Sequence, residues 1–88
     1  MPGHPDPRLN LALTLERAGR TDEALEGYRG ALGAHAGHLP AMQALARLQV
    51  RTGRPDEATP GLLREIALRG ETDEWRRWAQ SELAFEAE

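Results

Sequence analysis

The sequence predicts an all-α fold made of two helix–turn–helix units and a closing helix. Three observations carry this. Ala (14) and Leu (13) supply 27 of the 35 apolar residues, while Val and Ile occur once each. That is a helix vocabulary, because the β-branched residues that favour strands are nearly absent. The segment Gly19-Arg20-Thr21-Asp22-Glu23-Ala24 recurs 34 residues later as Gly53-Arg54-Pro55-Asp56-Glu57-Ala58, and self-similarity at a fixed period marks a repeat architecture. The same offset pairs Leu11 with Leu45, Ala12 with Ala46, Arg17 with Arg51 and Leu32 with Ile66, and it sets Tyr28 against Leu62.

The repeated segment reads as a joint between two helices. Gly19 and Gly53 can take the left-handed conformation that ends a helix. Thr21 can cap the next helix, and Pro55 in the same place suits a first turn. The acids that follow favour the positive helix end. Ala24 and Ala58 are small enough for close helix approach. The first helix is expected from about Pro7 to Ala18 and the second from Asp22 to His35. The third is expected from Pro40 to Thr52. The fourth starts at Pro55 or Pro60 and ends at Arg69. In the first case Pro60 kinks it; in the second, Thr59 caps a shorter helix. A kink or break near Thr59 is favoured. Thr72 is an N-cap candidate for a fifth helix running toward Phe85. These elements divide one domain, residues 1–88, into a first unit (about 5–38), a second (about 39–71) and a closing helix (about 72–86).

The residue inventory excludes most chemistries. All 11 basic residues are Arg, and there is no Cys. Schiff-base amines, P-loop lysines, thiol nucleophiles and Cys-ligated zinc are therefore absent. A domain this small buries only about 60–65% of its unfolded surface, which disfavours a deep active site. Ser81 is the only Ser, and no His or acid is spaced to activate it. His35 and His38 have the spacing of two metal ligands on one turn, but no third His or Cys lies nearby, so a solvated helix end is expected. His4 stands apart from both. No enzyme activity, cofactor or metal is expected. The net charge of −3 argues against nucleic-acid binding. No apolar run approaches the roughly 18 residues of a membrane span, and MPGHPDPR lacks the apolar core of a signal peptide. A cytoplasmic location is expected, and all-Arg usage with abundant Ala, Gly and Leu points to a GC-rich bacterial genome. Gly27, Gly30 and Gly33, spaced by three, read either as a face for close helix contact, in a dimer or within the chain, or as a solvent face.

The motif residues resemble the tetratricopeptide repeat family. Leu11-Ala12 and Leu45-Ala46 match the paired apolar and small residues of that family's first helix. Leu15 takes the aromatic place in the first unit, and polar Gln49 takes it in the second. Ala24-x3-Tyr28-x2-Ala31 matches the second helix fully; Ala58-x3-Leu62 matches in part, with Glu65 as the last small residue's replacement. Ala36 and Gly70 stand where the family has Pro. Trp75-x2-Trp78-Ala79 is similar to the start of a third unit, one residue early. The resemblance implies a right-handed superhelical stack with one concave face. The last helix then caps it, with Trp75, Trp78, Leu83 and Phe85 packed on the fourth helix and Gln80, Glu82, Glu86 and Glu88 outward.

The resemblance also implies that the first helix of each unit lines the concave face. Opposite a Leu11/Leu15/Ala18 stripe lie Leu9, Asn10, Leu13, Glu16 and Arg17. The matching places are Gln43, Ala44, Arg47, Val50 and Arg51, then Arg76, Arg77, Gln80 and Ala84. An arginine-lined groove follows, with Glu16 and Asp73 as its acids. It suits a peptide or partner domain with acidic character or a free C-terminal carboxylate, because guanidinium groups bind carboxylates in a bidentate way. The expected function is a non-catalytic adaptor or scaffold, with candidate contacts Leu9, Asn10, Leu13, Arg17, Gln43, Arg47, Arg51, Arg76 and Arg77. The alternative is a self-association unit, a homodimer or end-to-end stack formed through apolar surface on the first helix.

Overall fold

The computed structural model describes residues 7–86, with side chains through Phe85. His4, Glu88 and most of the segment MPGHPDPR lie outside the described residues. Five helices follow in order: α1 (Pro7–Arg17), α2 (Thr21–Ala34), α3 (Leu39–Thr52), α4 (Thr59–Arg69) and α5 (Asp73–Glu86). There is no strand among the described residues. The packed pairs are consecutive ones, α1 on α2, α2 on α3, α3 on α4 and α4 on α5. Neighbour-to-neighbour packing of this kind is the mark of a helical repeat stack.

Both joints close by the same geometry. Gly19 has φ +80° and Gly53 φ +67°. In the first, Gly19 N–H donates to Glu16 O (3.0 Å) and Arg20 N–H to Leu15 O (2.9 Å). In the second, Gly53 N–H donates to Val50 O (3.2 Å) and Arg54 N–H to Gln49 O (2.8 Å). This paired pattern satisfies the last carbonyls of each helix. A Cβ on either glycine would meet no atom within 4 Å. The positive φ, not lack of space, is what demands glycine there.

The helix starts differ from the sequence reading. Arg20 holds the N-cap place of α2 and no side chain caps it, so Thr21 does not cap. Thr72 does cap α5, accepting from Trp75 N–H at 3.1 Å. α4 begins at Thr59, with Pro60 in its first turn and no side-chain cap. Pro60 has no N–H to give and would clash with a preceding turn, so the helix starts where it costs nothing. Thr59 is fully buried and turned inward. Its Oγ1 donates to Gln49 Oε1 (2.7 Å) and accepts from Asp56 N–H (2.9 Å). Ala58 is thereby left exposed, unlike buried Ala24, and Asp56 and Glu57 precede the helix instead of starting it.

Asp56 ties this turn together. Its carboxylate accepts from Ala58 N–H (2.9 Å), Gln49 Nε2 (2.9 Å) and Arg29 (3.1 Å). Burial pushes its pKa up, but the hydrogen bonds from Ala58, Arg29 and Thr59 and the Arg29 charge outweigh that and hold it below the ordinary aspartate value. A depressed carboxylate contributes stability above its unfolded pKa, and that contribution is lost as pH falls through the folded value. Asp56→Asn should therefore lose less stability than the parent between pH 5 and pH 3, read as the shift of the urea midpoint. Equal shifts in both proteins would contradict this.

Two apolar clusters fill the stack and share α3. The first joins Ala12, Ala24, Leu25, Tyr28, Ala44, Leu45 and Leu48. The second joins Met42, Ala46, Leu63, Ile66 and Ala79, with Trp75, Trp78 and Leu83 packed against it. α3 buries Ala41 through Ala46, Leu48 and Gln49 because helices cover it on both sides. On α1 the inward stripe is Leu9, Ala12, Leu13 and Glu16, while Leu11 is 60% exposed. The expected Leu11/Leu15/Ala18 stripe is thus displaced; of its members only Leu15 packs on the core. Phe85 is 78% exposed and does not pack on α4 as Trp75, Trp78 and Leu83 do.

Of the three spaced glycines, only Gly27 has a packing reason. A Cβ there would stand 2.8 Å from the Ala12 Cβ, whereas Gly30 and Gly33 face open space. Gly30→Ala and Gly33→Ala should each stabilise by about 0.5–1 kcal/mol through helix propensity. Gly27→Ala should destabilise by about 1 kcal/mol, since overpacking exceeds the propensity gain. Urea unfolding of the three variants checks the opposite signs.

Candidate functional site

Residues of α1, α3 and α5 open onto one groove. A pocket of about 230 Å³ is lined on α1 by Leu9 and Leu13, and on α3 by Pro40, Gln43, Ala44 and Arg47, with Glu71 and Trp75 closing it. A second pocket of about 410 Å³ is lined by Arg47, Thr72, Glu74, Trp75 and Trp78. Arg47 and Trp75 belong to both and form the wall between them. The spacings explain the alignment. Leu9 and Leu13, like Gln43 and Arg47, are four residues apart, and Trp75 and Trp78 are three apart, so each pair shares a helix face.

Arg47 is held by weak contacts. Its guanidinium carbon lies 5.7 Å from the Trp75 ring centroid, a cation–π distance. A guanidinium nitrogen stands 3.8 Å from Glu16 Oε2. Glu16 itself is well satisfied. Tyr28 Oη donates to its Oε1 at 2.6 Å, and Arg51 donates to its Oε2 at 2.8 Å. Burial, then the hydrogen bond and charge of Glu16, hold the Tyr28 phenol well above the ordinary tyrosine range. Trp75 and Trp78 meet edge to face, with centroids 5.5 Å apart and planes at 84°. Gln43, 2% exposed, closes the α1 end: its Nε2 donates to Glu71 Oε1 (2.7 Å) and its Oε1 accepts from Glu71 N–H (2.9 Å).

Leu9, Leu13, Gln43 and Arg47 are therefore brought together, with Ala44 between them. The other expected contacts lie elsewhere. Arg51 is engaged by Glu16 and lines neither pocket. Asn10, Arg17 and Arg77 are exposed outside both. Arg76 donates to Gly70 O at 2.6 Å and pairs with Asp73, so it ties the α4–α5 connection. The groove is consequently not uniformly basic. Arg47 is its one lining cation among the described residues, and Glu71 and Glu74 line it too.

Trp75, Trp78, Pro40, Glu71 and Glu74 were not among the expected contacts. Two tryptophans three residues apart on one helix carry the signal, since that spacing sets both on one face. Chemically the groove offers apolar and aromatic surface, one guanidinium and two carboxylates. No His, Ser or Lys lines either pocket. His35 and His38 lie apart from it, with ring centroids 6.2 Å apart. Among the described residues no group of three metal-ligating side chains occurs and no helix is long and apolar enough to cross a membrane.

No curated protein and no solved structure matches the chain. Residues 15–64 match the family model of the tetratricopeptide repeat, a span that contains both glycine joints and all of α2 and α3. The chain belongs to the tetratricopeptide repeat family, whose members are typically non-catalytic and whose repeats generally mediate protein–protein interactions.

Proposed function

We propose that the chain is an interaction module that takes a peptide, or an exposed segment of a partner protein, in the groove of α1, α3 and α5. The observation that carries this is the shared wall: Arg47 and Trp75 line both pockets. A single ligand can therefore lie across an apolar pocket, a guanidinium and an aromatic pair. Aromatic and Arg side chains in a concavity are the usual anchors of binding energy. The arginine contribution comes chiefly from Arg47, with Arg51 and Arg17 beyond the pockets. Arg47→Glu should weaken a captured partner at least tenfold while helix content stays unchanged. Arg64→Glu, on an exposed position of α4, should leave affinity as it was. Unchanged affinity in Arg47→Glu would sink the groove reading.

Self-association is the second reading, and Leu11 favours it. This leucine is 60% exposed on the first helix of the stack, where an apolar edge can meet another copy. Light scattering separates the two. A dimer that Leu11→Glu dissociates supports self-association; a monomer leaves the groove as the working surface.

A further inference from the structure

We infer that the groove selects a peptide carrying one carboxylate beside an apolar side chain, with a basic residue next along; this rests on the groove reading above. The charges lining the two pockets carry the argument. Arg47 is 45% exposed and stands 3.8 Å from a Glu16 oxygen that Arg51 already engages at 2.8 Å. Glu16 thus has its charge met without Arg47. The contact with Trp75, 5.7 Å from guanidinium carbon to ring centroid, is cation–π and occupies none of the N–H donors, so an N–H edge is left to donate. That edge fits one carboxylate in a bidentate manner.

The acids around it set the rest of the pattern. Glu74 lines the larger pocket and pairs with no cation among the described residues. Glu71 lines the smaller one and, among the described residues, accepts from neutral Gln43 and pairs with no cation. A run of acidic residues would bring its second and third carboxylates against these two, where like charges repel. A basic side chain meets Glu74 or Glu71 instead. Between the charges, the edge-to-face Trp75–Trp78 pair and the Leu9/Leu13/Ala44 wall accept apolar groups. The ligand chemistry is therefore carboxylate, apolar, cation, and not polyacidic.

The test is selection of random peptides of about ten residues, with free and amidated C-termini, on the immobilised 88-residue protein. Enriched peptides are then titrated while tryptophan fluorescence is read. Trp75 and Trp78 are the only tryptophans, so the signal reports the groove. Enriched peptides should carry one acid next to an aliphatic or aromatic residue and a base within four positions. Enrichment confined to free C-termini assigns the carboxylate to the chain end; enrichment in both sets assigns it to a side chain. Arg47→Glu should turn the preferred acid into a base, and Glu74→Arg should turn the preferred base into an acid. Each should weaken the parent peptide about tenfold or more. Arg47→Gln and Glu74→Gln, followed by circular dichroism, keep the test valid if a reversal disturbs folding. Peptides that move the tryptophan signal but carry acidic runs, or ignore both substitutions, overturn this inference and leave the groove reading standing. If no selected peptide moves the signal, the groove reading fails and this inference with it.

Discussion

Glu16→Ala should cost about 3 kcal/mol, a large share of the roughly 5–10 kcal/mol available to a domain of this size. Tyr28 is fully buried, and its hydroxyl donates to Glu16 Oε1 at 2.6 Å. Alanine strands that hydroxyl in the core and removes a charge-assisted bond; each change is worth about 1–3 kcal/mol. Arg51 is exposed and falls back on water, so it adds little. Tyr28→Phe removes the donor as well, and the double variant should cost clearly less than the two single variants summed. Additive losses in urea unfolding would mean that the pair does not couple. Alkaline pH gives an independent check. The raised phenol contributes stability below its unfolded value near 10, and this is lost as pH rises toward the folded value. Tyr28→Phe should lack that alkaline loss.

The second large effect is expected at Gln49→Ala, also about 3 kcal/mol. Gln49 is completely buried. Its Nε2 donates to Asp56 Oδ2 at 2.9 Å and its Oε1 accepts from Thr59 Oγ1 at 2.7 Å. One side chain thereby fixes both the turn before α4 and the buried start of that helix. Alanine leaves a void and takes from the buried hydroxyl its nearer acceptor, with only Asp56 Oδ1, 3.3 Å away, to fall back on. Gln49→Leu restores volume but not the acceptor, so it should recover only part of the loss. Gln49→Leu and Thr59→Val each break the Gln49–Thr59 bond, so the double variant should cost less than the two single variants summed, while Asp56 N–H and Oδ2, left without their partners, keep it below the parent. Additive losses in urea unfolding would contradict this account. The polar departure from the family's aromatic place at Gln49 thus has a physical reason: it anchors a turn that Pro60 displaces.

Much of this architecture is legible in the sequence because it is local. Gly19 and Gly53 mark the joints since only glycine takes their φ freely. The predicted helices fall within a few residues of α1, α2, α3 and α5, and the break at Thr59 follows from Pro60. Half of the groove is legible for the same reason: Leu9, Leu13, Gln43 and Arg47 share helix faces by spacing alone. The other half is not. Carrying α3 into α5 one residue short of the 34-residue period sets Arg76 and Arg77 in the places of Gln43 and Ala44, yet Trp75 and Trp78 line the groove.

A helix turns about 100° per residue, so a shift of one or two places brings a different face inward. The repeat period says that units are alike; it does not say how far each helix rotates about its axis. Packing decides that. On α1, Ala12 must face Gly27 for the two helices to approach, which sends Leu11 outward. On α5, Arg76 is anchored to Gly70 O and the Trp rings cover the second apolar cluster. The sequence by itself determined the fold class, the joints and the all-arginine charge supply, because these depend on φ preferences and residue inventory. Only the tertiary structure decided which charges reach the groove. There Glu16 takes up Arg51, Gly70 and Asp73 take up Arg76, and Arg47 is the cation left lining it.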